Sequence, residues 1–269
     1  MNQFGKTTTM MPTPLISTLL AATLLPLSSF AADVKIVPEL GFSYRNYEYK
    51  INGDRYFKEI FPAIRYGLNI RSGRFFGNVY GESSIDSNQQ TSVNSLFSSG
   101  TGAEVSRDDY VLTGGYLFNK SFAAFGGYKT GKTKVNYNIN DSGVNDIKSS
   151  GFFAGVNYIL PIGKAGAFSA NIAYAVLDTD FTVATPTISQ NLSPLGLNQL
   201  DLESDGSGFS LGLAWNSKIS KNLQYSVGWD IQSYEYDDLT PTSTRVALAE
   251  KLELKERQDT FRVLLKYAF

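Results

Sequence analysis

The stretch GGYKTGKT, residues 126–133, satisfies the phosphate-binding pattern G-x-x-x-x-G-K-[ST] at Gly126, Gly131, Lys132 and Thr133. In a nucleotide-binding protein such a loop leaves a buried strand and opens a helix, whose free N–H groups meet the phosphates. Here SFAA precedes the stretch and KTKVNYNIN includes its end. Neither flank has helical periodicity, and Asn136, Asn138 and Asn140 are poor helix formers. The context that this chemistry needs is missing, so the sequence predicts no nucleotide binding. Residues 121–137 read instead as a strand whose glycines relieve crowding in a curved wall.

Other chemistry is narrowed by composition. The chain has no cysteine, which excludes disulfides and thiolate metal sites. It has no histidine, the commonest general base and metal ligand. The adjacent pairs Asp108–Asp109 and Asp237–Asp238 could in principle share a proton. Neighbouring residues of a strand point to opposite faces, however, so each pair reads as solvated charge at a loop edge. The formal charge of −1 offers no basic field for nucleic acid. No metal or organic cofactor is implied.

The elements that carry these residues alternate with period two, the signature of strands. In TFRVLLKYAF, Phe261, Val263, Leu265, Tyr267 and Phe269 share one face, and Arg262 and Lys266 the other. The same apolar stripe recurs in 59–70, 110–118, 151–160, 167–176, 208–215 and 222–231. Less regular strands cover about 36–49, 74–85 and 121–137, giving about ten in all. The faces opposite the stripes are small or polar, as in Ser169, Asn171, Ala173 and Ala175. That suits a wet lumen with apolar residues turned out to lipid. The connections alternate between short (71–74, 118–121, 161–166, 217–222) and longer (about 50–56, 86–107, 138–149, 182–206, 237–257). An up-and-down membrane barrel with short periplasmic turns and long outer loops has this pattern. The first residues supply a positive Lys6, an apolar run from Leu15 to Leu27 and small residues at Ser29 and Ala31. They read as a signal peptide over 1–31, followed by a single barrel domain over 32–269.

A last strand that alternates apolar residues and ends in Phe269 resembles the assembly signal of Gram-negative outer-membrane β-barrels. The resemblance implies an all-β, transmembrane antiparallel barrel of about ten strands, with eight or twelve as the alternatives. It implies export to the cell outer membrane. It also implies contact with outer-membrane lipid and lipopolysaccharide, and passage through the barrel-assembly machinery. In size the chain is similar to the omptin proteases, but the enzymes of that environment use a histidine, and this chain has none. The expectation is a protein that is not an enzyme.

On these registers Arg45, Glu59, Arg65, Glu82, Asp109, Lys129, Asp230, Arg262 and Lys266 face the lumen, with Phe61, Tyr80, Phe125 and Phe153. Mixed charges can line a small pore or pair across it and fill it. Two functions are therefore expected of the barrel: a narrow, porin-like passive channel for small solutes, or a structural barrel displaying surface loops. The alternative is an adhesin or receptor that binds an extracellular ligand through 86–107, 182–206 and 237–257. Leu192, Leu195, Leu197, Leu200 and Leu202 in the second of these segments suit a lid, a contact surface or burial against the barrel's own aromatics. Lys132 and Lys134 fall near the outer rim, within reach of lipopolysaccharide phosphates.

Overall fold

The computed structural model describes residues 34–85, 91–94, 99–137, 144–184, 186–246, 248 and 251–268. The expected signal peptide over 1–31 and the terminal Phe269 lie outside the described residues. Ten long strands form the wall: β1 (Val34–Ile51), β2 (Asp54–Ser72), β3 (Phe75–Ser84), β5 (Ser99–Leu117), β6 (Phe122–Tyr137), β7 (Val144–Pro161), β8 (Ala167–Ala184), β9 (Leu200–Lys218), β10 (Leu223–Asp238) and β12 (Glu253–Tyr267). Two short strands add to it at the outer end, β4 (Thr91–Asn94) on β5 and β11 (Thr240–Pro241) on β9. Each long strand pairs with its sequence neighbours, and β12 pairs both β10 and β1, so the sheet closes. Closure gives each wall strand a paired neighbour on both sides through the membrane half, which is what a lipid environment demands.

The strands are longer than a membrane needs. The apolar band of such barrels is about 25 Å tall and takes about ten tilted residues. β2, β5 and β9 each have 19 residues. At about 3.3 Å per residue and a tilt near 40°, they reach roughly 45–50 Å along the axis. The excess lies at the outer end, opposite the short turns. There the alternation changes sign. In the lower half Leu40, Phe42, Phe152, Ile172, Phe209 and Leu265 are exposed on the outside. In the upper half the outward positions are charged, including Lys50, Lys132, Asp180 and Glu203. The inward positions there are apolar, including Tyr49, Val135, Phe181 and Leu202.

This inversion shortens the expected outer loops. β5 begins at Ser99, β7 at Val144, β9 at Leu200 and β12 at Glu253, so much of 86–107, 138–149, 182–206 and 237–257 is wall. Scanning for stripes of one polarity stops at the lipid boundary, because apolar residues above it must turn inward to escape water. The first outer connection is only Asn52–Gly53, with φ of 51° and 85°, a pair suited to a type I′ hairpin turn. Between β8 and β9 lie a helix α1 (Pro186–Leu192) and a 3₁₀ turn (Ser193–Leu195). In the last outer connection Lys251 donates to Asp238, whose carboxylate holds the exposed ammonium above the usual lysine pKa.

Candidate functional site: the barrel lumen

The phosphate-loop pattern lies in mid-strand. All of 126–133 belongs to β6, with β5 on one side and β7 on the other. No helix follows, so no N–H cradle exists. Three of the four fixed residues have another task. Lys132 points outward and meets Asp146 at 2.7 Å. Thr133 points inward, where its hydroxyl accepts from Arg107 at 3.0 Å. Gly131 is also inward, and a Cβ there would lie 2.3 Å from Asp109 Oδ1 and 2.4 Å from Arg107 Nη2. The glycine makes room for an ion pair rather than for a phosphate.

That ion pair belongs to a polar belt crossing the lumen. Arg107 is 1% exposed and meets Asp109 at 2.9 Å and Glu256 at 3.2 Å. It also donates to the Tyr47 hydroxyl. Glu256 accepts from Tyr47 at 3.0 Å and from Tyr236 at 2.8 Å. Tyr236 reaches Ser149, which hydrogen-bonds Thr179. The belt thus ties β5 and β12 to β1, β6, β7, β8 and β10. A carboxylate and a guanidinium so far from water persist only when their remaining hydrogen-bonding positions are filled.

Above the belt the lumen is filled with apolar side chains. Tyr47, Tyr49, Phe57, Ile147, Leu177, Phe181, Val183 and Leu254 all have 0% exposure and form one cluster. Ring centroids 5.0–6.3 Å apart link Tyr47, Tyr49, Phe57 and Phe61. Leu200 and Leu202 of the leucine-rich segment are core residues of β9, and Leu192 of α1 packs onto the cluster from above with Ile188, Val246 and Leu248. Leu195 stays exposed. Of the readings open to this segment, the structure shows burial against the barrel's own core. Each large side chain enclosed in this way contributes about 1.5–3 kcal/mol.

Below the belt a polar cavity of about 380 Å³ occupies the membrane half. Its lining includes all eight of Arg45, Arg65, Glu82, Asp109, Lys129, Asp230, Arg262 and Lys266. Tyr80, Phe125 and Phe153 line it too, whereas Phe61 belongs to the apolar cluster and the inward Glu59 lies outside the lining. The charges are largely paired. Arg45 meets Glu82 at 2.7 Å and also contacts Asp109. Arg65 meets Glu39 at 3.0 Å, Arg262 contacts Asp230, and Lys266 lies 3.8 Å from Glu39. Lys129 instead donates to Gln232 at 2.9 Å and Tyr234 at 3.0 Å. Inward residues near the short turns, such as Asn69, Asn78 and Asn216, are half-buried, so the cavity is most accessible from that end.

The remaining expectations can be placed. Phe261, Val263, Leu265 and Tyr267 are exposed on the outer face of β12. Asp108 points out and Asp109 in, and Asp237 is exposed while Asp238 contacts Lys251, so neither adjacent pair shares a site. Sequence reasoning missed Arg107 and Glu256, which fell inside the expected loops. The signal was present: Arg107 has the parity of Asp109, and Glu256 that of Arg262.

No protein-family model matches the chain. A search of curated proteins returns no relative. Solved structures do match. The outer membrane protease OmpT from Escherichia coli aligns over 87% of this chain and 97% of its own, at 9% identity and a TM-score of 0.58. The chain has the fold of a small outer-membrane β-barrel. More distant matches are the translocator domain of the autotransporter NalP from Neisseria meningitidis and OprG from Pseudomonas aeruginosa. The first is 11% identical over 94% of this chain and 95% of that one, with a TM-score of 0.44. The second is 13% identical over 88% and 96%, with a TM-score of 0.35.

Proposed function

We propose that this protein is an outer-membrane barrel closed towards the outside, which displays a rigid extension at the cell surface and does not conduct solutes. The observation that carries the reading is the apolar cluster above the belt, with side chains from β1, β2, β6, β7, β8, β9, β10 and β12 at or near zero exposure. Ions do not cross such a seal without desolvation costs far above thermal energy. The narrow channel is therefore the less favoured of the two roles. The extension stands about 20 Å above the lipid, from about eight residues per strand. Its β8–β10 face carries Asp178, Asp180, Glu203, Asp205 and Asp237 on the outside, a surface that disfavours anionic partners. A ligand-binding role at the surface fits this geometry as well as display alone.

We also propose that the protein is not an enzyme. The OmpT likeness is one of fold, and histidine is absent from the chain. The buried carboxylates of the belt hold arginine and tyrosine partners rather than a reachable substrate position.

The test is single-channel recording of the refolded mature protein in a planar bilayer, with folding verified by heat-modifiable gel mobility. The wild type should be silent. A variant that empties the seal, Phe57→Ala with Phe181→Ala and Leu254→Ala, should conduct. Steady openings of the wild type would overturn the closed reading and restore the channel.

A further inference from the structure

The two ends of the barrel differ in charge. The short turns carry Arg71, Arg74, Lys120, Lys164, Lys218 and Lys221, and no acidic residue occurs in 71–74, 118–121, 161–166 or 217–222. All six are exposed, and among the described residues none takes part in an ion pair. The formal charge of the whole chain is only −1, so this rim is a local concentration of positive charge and not a general property.

Its neighbours place the rim at a lipid surface. Phe75, Tyr116, Phe118 and Phe122 form a chain of rings with centroids 5.1, 5.5 and 6.4 Å apart, facing outward above the turns. Arg74 lies against it, its guanidinium 3.4 Å from the Tyr116 hydroxyl. Two turns also expose an isoleucine near their lysines: Ile162 beside Lys164 at 46%, and Ile219 between Lys218 and Lys221 at 57%. An apolar tip and a ring girdle are satisfied together only in the interfacial layer. Turns this short cannot carry the cations away from it.

We propose that this periplasmic rim binds the headgroups of anionic phospholipids in the adjacent leaflet. The girdle rings seat the acyl–headgroup boundary, and the six cations meet the phosphates from several sides of the barrel. The interaction is independent of whether the lumen is open. A juxtamembrane lysine or arginine at an anionic surface is worth about fivefold in binding.

The experiment incorporates the full mature protein into nanodiscs of equimolar phosphatidylcholine and phosphatidylglycerol. Lipids retained on release are then counted by native mass spectrometry. The wild type should keep phosphatidylglycerol in about tenfold excess, and the excess should fall as salt rises. Replacing all six rim cations by glutamine should bring the ratio near one. A control replacing Lys50, Lys58 and Lys148 at the opposite end should leave it unchanged. Gel mobility shift on heating verifies that each variant is folded. A ratio near one for the wild type would sink the proposal, as would an excess that survives the six substitutions or disappears in the control. Rim-dependent retention on isolated peptidoglycan without any lipid preference would reassign the surface to that polymer.

Discussion

Replacing Arg107 by methionine tests whether the belt is dry. The guanidinium meets Asp109 at 2.9 Å and Glu256 at 3.2 Å, and donates to Thr133 at 3.0 Å and to the Tyr47 hydroxyl. Methionine fills much of the volume but none of the bonds. Asp109 keeps Arg45 as a partner, whereas Glu256 loses its guanidinium and keeps the hydroxyls of Tyr47 and Tyr236. Removing one member of a buried ion pair costs about 3–5 kcal/mol, because the surviving charge is left without compensation. The loss should fall near the middle of that range, since two hydrogen bonds of about 1 kcal/mol each still hold Glu256. Glu256→Gln on its own keeps an acceptor and should cost less, about 1–3 kcal/mol. The double variant should be more stable than the sum of the two by at least about 1 kcal/mol, because the orphaned charge is gone. The assay is reversible urea unfolding in lipid vesicles, followed by the fluorescence of Trp215 and Trp229. Stability within about 0.5 kcal/mol of wild type for Arg107→Met would mean that water reaches the belt, and the closed-barrel reasoning would fail with it.

Gly131→Val should cost about 1–3 kcal/mol in the same assay, because the new side chain must displace the Arg107–Asp109 pair. Gly114→Ala, with nothing within 4 Å of the added carbon, should be neutral or slightly stabilising, and comparable losses at both sites would contradict the crowding argument. Gly53→Ala should cost about 1–2 kcal/mol by straining a residue whose φ is 85°; equal stability would show that the hairpin turn adapts. Calorimetric titration with ATP and GTP should show no binding, and Lys132→Ala should change nothing but the contact with Asp146. Measurable affinity that vanished in that variant would revive the phosphate-loop reading.

Much of this architecture was legible. Period-two apolar stripes located the membrane half of seven strands, three less regular segments were read as further strands, and the alternation of short and long connections indicated ten strands. The inward placement of Arg45, Arg65, Glu82 and Lys266 followed from strand parity alone. The extracellular half was not legible by the same rule. There Tyr47, Tyr49, Val135, Phe181 and Leu202 keep the parity of the lumen but have the polarity of the lipid face. A search for one apolar stripe therefore stopped short of Phe181 and read Leu202 as part of a loop, while Tyr47, Tyr49 and Val135 fell in strands of less regular pattern.

The sequence by itself determined the closed antiparallel wall and which side of each strand faces in, because parity is local and survives any change of solvent. Only the tertiary structure decided what lies inside. Whether Arg107 finds Glu256, 149 positions further along the chain, depends on how β5 and β12 face one another across the lumen. Whether Phe181 and Phe57 close a passage or line it depends on the barrel's radius. Both are consequences of ten strands closing together, and no single strand records them.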